Sequence, residues 1–250
     1  MSEIEAKNAI EFNGVSKSFD QRCVLNNLSF NVKEGTGYVL LGRSGTGKSV
    51  TLKLICGLLQ PDAGSVKVAG VDITGMDSTA LTPVRKQMGF LFQSAALFDS
   101  ISVGANVAFA LKRNTDKSSE EIHQRAQSVL ESVGLGKEYD KMPSDLSGGM
   151  RKRAGLARAL ALEPSILLVD EPSAGLDPIT SAEIDDLLLH VKQNNTTLVV
   201  VTHNIPSARV LGDRLAFLDN GIILAEGTAE ELEQSEHQLV RDFMKSKQGG

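Results

Sequence analysis

The sequence has no apolar run approaching the roughly 18 residues that cross a bilayer. Its longest candidates, "SILLVDEP" and "TLVVVTHN", are strand-sized and end in polar groups. It also lacks a basic excess. Lys and Arg number 26 against 31 Asp and Glu, for a net charge of −5. That balance argues against a chain that binds nucleic acid through a broad cationic surface. The opening "MSEIEAKNAIEF" has neither the positive start nor the apolar stretch of a secretory signal. A cytosolic chain is expected, serving any membrane by docking. Cysteine is scarce too. Cys23 and Cys56 are the only two, at a spacing that fits no metal or redox motif, and both are expected to be ordinary buried thiols. No repeat or low-complexity tract is visible.

What is present suffices for a sizeable core: 250 residues, 41% of them hydrophobic, fit one large domain or two small ones. The first part is β-rich, with "AIEFNGVSKSF", "NLSFNV" and "GYVLLG" separated by turn residues. A glycine-rich loop then opens the helix "KSVTLKLICGLL", which Gly57 weakens and "QPDAG" stops. Short strands follow in "SVKVAG", "VDI" and "KQMGFLFQ". From about Val103 to Leu162 the pattern turns helical: "SVGANVAFAL", "SSEEIHQRAQSVLESVGL" and "RKRAGLARALAL". "KRNTDKSS" between the first two is expected to be an exposed loop. After Pro164 strands and helices alternate, through "SILLVDE", "ITSAEIDDLLLHVKQ" and "TTLVVVTH" to a hairpin turning at Asn220-Gly221. The segment after Gly227 is expected to form one or two helices with a loose end. Continuous apolar strands alternating with helices imply an α/β fold with a parallel sheet covered on both faces. The middle helices read as an insertion into it.

The loop Gly42-x-x-x-x-Gly47-Lys48-Ser49 has the P-loop pattern in the strand-to-helix setting it requires. Glycines let backbone N–H groups approach an anion closely, and the new helix adds its positive end. Lys48 can reach β- and γ-phosphates, and Ser49 can ligate Mg²⁺. The nucleotide-binding set then includes Gly42, Arg43, Ser44, Gly45, Thr46, Gly47, Lys48, Ser49 and Val50. Such a site needs a second metal anchor and a group that positions water. "ILLVDEP" offers both: Asp170 for Mg²⁺ and Glu171 to orient or deprotonate water.

"LSGGM", Leu146 to Met150, places Ser147, Gly148 and Gly149 at the head of a basic helix, a second anion-ready helix start. The order P-loop, Gln93, "LSGGM", "ILLVDEP", "AGLD" and His203 resembles the ATPase subunits of ABC transporters over nearly the whole chain. The resemblance implies a P-loop NTPase (RecA-like) core with an N-terminal antiparallel β subdomain and an inserted α-helical subdomain. Core and β subdomain would span about 8–93 and 163–227, the helical subdomain about 94–162, and a helical tail about 228–250. It implies a homodimer that sandwiches two ATP molecules, each P-loop facing the other copy's Ser147, Gly148 and Gly149. Gln93 would reach Mg²⁺ and the water. His203 would hold the γ-phosphate and the geometry of Glu171. Asp177 would couple the two sites at the dimer interface, and Phe19 would stack on adenine. A permease helix would dock beside the Gln93 segment, on "SAALFDSISV", with Ala96, Leu97 and Phe98 as apolar contacts.

Two positions depart from the commonest pattern of that family: Met150 stands where Gln is usual, and Val50 where Thr is usual. With "LFQSAALFDSISV" and "LALEPSILLVDEPSAGLDPIT", they make the chain similar to the ATPases of MCE-type lipid transporters, such as the maintenance-of-lipid-asymmetry (Mla) systems. That likeness implies integral-membrane permease subunits, an MCE-domain lipid-binding protein and a small regulatory subunit as partners. It places the chain at the cytoplasmic face of the inner membrane. The alternatives are an ABC ATPase for amino acids or another small solute, and a soluble ABC protein acting on DNA or ribosomes. The single cassette and the absence of a basic tract speak against the last.

Overall fold

The computed structural model describes residues 7–246. Strands β1 (Asn8–Phe19) and β2 (Arg22–Lys33) pair antiparallel, and β3 (Gly37–Leu41) leads into helix α1 (Lys48–Ile55). Then come β4 (Ala63–Val68), β5 (Val71–Asp72), α2 (Thr82–Arg85) and β6 (Met88–Leu91). Helices α3 (Val103–Asn114), α4 (Ser119–Ser132) and α5 (Gly148–Leu160) follow without an intervening strand. Next are β7 (Ile166–Asp170), α6 (Pro178–Gln193), β8 (Thr197–Thr202), α7 (Ile205–Leu211), β9 (Arg214–Asp219) and β10 (Ile222–Gly227). Two short helices, α8 (Ala229–Glu233) and α9 (Gln238–Lys245), close the described chain.

The strands form two sheets. One is four-stranded and antiparallel, in the order β2-β1-β4-β5. The other is six-stranded, in the order β10-β9-β3-β8-β7-β6, parallel except for β10. All residues of β3, β7 and β8 are buried, which is why their sequences read as unbroken apolar runs. Consecutive side chains point to opposite faces. Val39, Leu167, Val169 and Val200 enter a core shared with α3 to α9. Leu40, Leu168, Val199 and Val201 enter a second core with α1 and the four-stranded sheet. Burying each such side chain contributes about 1.5–3 kcal/mol, so a one-residue slip in register would forfeit both cores.

The β9–β10 turn is pressed against β2. Asn26 N donates to Gly221 O at 2.9 Å, and a Cβ on Gly221 would lie 2.6 Å from Val24 O. Asn220 and Gly221 have φ of 46° and 79°, as the Asn-Gly signal predicts for a tight hairpin turn.

Two expectations need correction. Lys112, Arg113 and Asn114 of "KRNTDKSS" form the last turn of α3, so the connection shrinks to 115–118. Ser118 starts α4 as a capping box with Glu121, which fixes the loop's end. Cys23 is exposed, because β2 edges its sheet and turns that side chain to solvent; only Cys56 is buried. The tail is two helices, and the loose end expected beyond them lies outside the described residues. Among the described residues, no helix is long and apolar enough to cross a membrane.

Candidate nucleotide site

The register of the six-stranded sheet decides which side chains meet. Leu41 pairs with Thr202, Asp170 with Val201 and Leu91 with Val169. Four parallel strands therefore end at one edge, the edge where open α/β sheets bind ligands. There β3 runs into Gly42, β7 into Glu171, β8 into His203 and β6 into the segment that carries Gln93.

At the head of α1, Gly47 has a φ of 106°, and a Cβ there would lie 2.7 Å from Leu25 Cδ2. Only glycine takes that corner without strain. No side chain caps α1, so its first N–H groups are left to an outside acceptor. Lys48 is 6% exposed, and its Nζ donates to Gly42 O at 2.8 Å and Arg43 O at 3.0 Å. Burial pulls its ammonium below the ordinary lysine range; the charge and hydrogen bonding of Glu171, then the charge of Asp170, oppose that pull. Thr46 Oγ1 donates to Arg43 O at 3.0 Å and tightens the loop.

Ser49 Oγ donates to Asp170 Oδ1 at 3.0 Å. Burial pushes the Asp170 carboxyl above the usual carboxylate range, and the Ser49 hydrogen bond works against the rise. A hydroxyl and a carboxylate side by side are the hard oxygen donors that Mg²⁺ prefers, so these residues fit that ion.

Glu171 is the most constrained group. Its φ is 46°, a left-handed value that costs a non-glycine residue about 1–2 kcal/mol. Several hydrogen bonds hold it. Its N–H donates to Val201 O at 2.9 Å, and its Oε2 accepts from Thr202 Oγ1 at 3.1 Å and His203 N at 3.3 Å. His203 Nδ1 lies 2.9 Å from the same oxygen, which turns the ring's Nε2 away from Glu171. Glu171 Oε1 is 3.7 Å from Lys48 Nζ. Its backbone carbonyl accepts from Ala174 N at 3.2 Å and Lys152 Nζ at 3.0 Å.

Ser44, Gly45, Gly47, Lys48, Ser49, Val50, Gln93, Glu171 and His203 line one cavity of about 330 Å³. Asp170 stands behind it through Ser49, and Gly42, Arg43 and Thr46 complete the loop. Ser147, Gly148, Gly149, Asp177 and Phe19 are not part of its lining. Ser147 caps α5 by accepting from Met150 N at 3.3 Å and stays exposed with Gly148. Gly149 is buried, and a Cβ there would lie 2.5 Å from Thr180 Cγ2 at the head of α6. Asp177 caps that helix, accepting from Ile179 N and Thr180 N at 3.0 Å each, and its carboxyl lies below the usual range because of Thr180. Phe19 is 42% exposed at the end of β1, with Lys17 Nζ 5.6 Å from its ring centre.

Sequence reasoning missed three residues here. Val24 of β2 lines the cavity, Thr202 holds Glu171, and Lys152 reaches the Glu171 carbonyl from α5. Thr202 was readable as the polar end of a buried strand beside His203. Val24 and Lys152 carry no local signal.

A phosphate loop, an Asp-Glu pair at the end of a buried strand and a histidine on the glutamate make this fold a nucleoside-triphosphate hydrolase. A family model described as "ABC transporter" matches residues 25–174, more than half of the chain, and the chain belongs to that family as its ATP-binding, ATP-hydrolysing subunit. Among curated relatives, the "Probable ribonucleotide transport ATP-binding protein mkl" of Mycobacterium leprae is 41% identical, over 97% of this chain and 70% of that one. The "Intermembrane phospholipid transport system ATP-binding protein MlaF" of Haemophilus influenzae is 39% identical, over 98% of this chain and 93% of its own. A solved ATP-binding cassette, captured as a dimer in a post-hydrolysis state with ADP and Pi, superposes with a TM-score of 0.82 at 33% identity. That alignment covers 88% of this chain and 98% of the other.

Proposed function

We propose that two copies of this chain close head to tail on two ATP molecules and drive a lipid transporter of the MCE type. One observation carries the reading. The P-loop, Gln93, Glu171 and His203 share a cavity, whereas Ser147 and Gly148 are exposed outside it. A second copy supplies them. Dimeric solved cassettes support the arrangement.

In the closed state the loop N–H groups and Lys48 hold the phosphates. Ser49, Asp170 and Gln93 would hold Mg²⁺, which would supply positive charge to neutralise the triphosphate. Glu171 takes the proton of the attacking water, and His203 fixes the carboxylate while presenting its other nitrogen to the γ-phosphate. Ser147, Gly148 and Gly149 of the other copy cover that phosphate, and Asp177 lies at the junction between the sites. Phe19 stacks on adenine from the exposed end of β1. ATP favours closure because it touches both copies only when they are closed, and losing the γ-phosphate removes the bridge.

The closed dimer pulls on permease subunits docked near Phe98. That ring is 44% exposed and lines a cavity of about 240 Å³ with Phe90 and Phe109. Ala96 is exposed as well, while Leu97 is partly spent against the core. The chain works peripherally at the cytoplasmic face of the inner membrane, with an MCE-domain protein and a small regulatory subunit. The phospholipid reading rests on relatives named for it that match 97–98% of this chain. The mkl relatives, named for ribonucleotides, favour a small-solute alternative. Purifying the complex from membranes through a tag on this chain tests the choice. An MCE-domain protein with bound phospholipid is expected. A soluble solute-binding protein without lipid would overturn the lipid reading.

A further inference from the structure

Lys152 is a buried lysine with no part in the scheme above. It lies on α5, is 5% exposed and points its Nζ at the carbonyl oxygen of Glu171, 3.0 Å away. A buried ammonium is costly unless hydrogen-bonded and charge-paired. Here the opposite charges acting on it are Asp170 and Glu171. The carbonyl it grips belongs to the residue whose backbone is left-handed, and that same oxygen already accepts the Ala174 N–H of the following turn. Lys152 therefore occupies the remaining acceptor direction of the carbonyl and fixes the peptide plane after Glu171.

The other end of this contact is Ser147. Ser147 and Lys152 are five positions apart, about 7.5 Å along one helix axis. Ser147 caps the exposed start of α5, and Lys152 ends on the buried turn that carries the catalytic carboxylate. Whatever shifts that helix start moves the lysine, and whatever moves the lysine bears on Glu171. In the composite-site reading, Ser147 seats on the nucleotide of the other copy while Glu171 serves the nucleotide of its own.

We infer that Lys152 is a positioning residue, the strut by which α5 holds Glu171 in its catalytic conformation. This rests on the composite-site reading. It makes each copy's hydrolysis sensitive to how its α5 is seated across the interface.

The test uses the native complex isolated through a tag on this chain. Lys152→Met removes the donor while keeping an unbranched apolar stem. We expect kcat to fall about tenfold, as for loss of a charged hydrogen bond, with KM for ATP within about twofold. A non-hydrolysable ATP analogue should still trap the closed dimer, because Ser147 is intact. On a Glu171→Gln background Lys152→Met should cost nothing further, since both act through one group. Lys152→Arg should recover most of the rate. If Lys152→Met does not fold, Lys152→Gln, which keeps a neutral N–H donor, takes its place with an intermediate rate expected. A wild-type kcat in the donor-less variant, or a loss that adds fully to that of Glu171→Gln, would overturn the inference. Ser147→Arg serves as the control: hydrolysis surviving there would instead overturn the composite site.

Discussion

The chain has two helix starts suited to an anion, and they are built differently. At the head of α1 a glycine in a left-handed turn leaves the first N–H groups without a side-chain cap. The loop is backed there by a buried lysine and by the Ser49–Asp170 pair. At the head of α5, Ser147 caps its own helix, and its hydroxyl and Gly148 are exposed. Lys48 and the carboxylates of Asp170 and Glu171 stand beside the first start. On the proposed composite site, the first would hold phosphates within one chain, and the second would be pressed onto phosphates held by the other copy. On that proposal, half of each site is on loan.

The comparison can be broken by separating binding, closure and chemistry. Glu171→Gln should leave nucleotide affinity intact and lower kcat about 10²–10⁴-fold, the range for losing a general base, while the closed dimer accumulates. Single-turnover ATP cleavage checks it, and near-normal turnover would remove Glu171 from that role. Ser147→Arg puts a bulky cation at the second start. Equilibrium binding of ATP to the isolated subunit should stay within about twofold, with hydrolysis down about 100-fold or more. Equal losses of binding and hydrolysis would erase the distinction between the two starts. Lys48→Ala should weaken ATP binding about 10–100-fold, the worth of charge-assisted hydrogen bonds to phosphate. An unchanged dissociation constant by calorimetry would contradict the loop's assignment. The smallest effect belongs to the cap. Ser147→Ala should cost about 1 kcal/mol in a nucleotide-free denaturation curve. No cap is lost at Gly47, so Gly47→Ala should act there through backbone strain and the contact with Leu25 instead.

Much of this was legible because the relevant signals are local. A P-loop is eight consecutive residues, and buried parallel strands announce themselves as apolar runs in "ILLVD" and "TLVVVT". The Asn220-Gly221 turn and the α4 start were readable for the same reason. What stayed hidden depends on distant partners. Lys152 looks like one more cation in "RKRAGLARALA" until the fold lays α5 over the Glu171 turn. Val24 lines the cavity only because the four-stranded sheet is docked beside the loop. Cys23 was misread since edge position in a sheet is a matter of topology, which composition does not carry. The end of α3 was misjudged because polar residues on a helix's wet side resemble a loop.

The contact between Gly221 and β2 has a mechanical consequence. It bolts the wall that carries Val24 to the hairpin at the rim of the larger sheet, and a bulkier residue at the bolt would meet main-chain atoms of Val24 and Leu25. The two sides of the nucleotide cleft therefore travel as a single casting. In the proposed dimer, spent nucleotide would then have no jaw to open between these two walls, and its exit would wait on the withdrawal of the other copy.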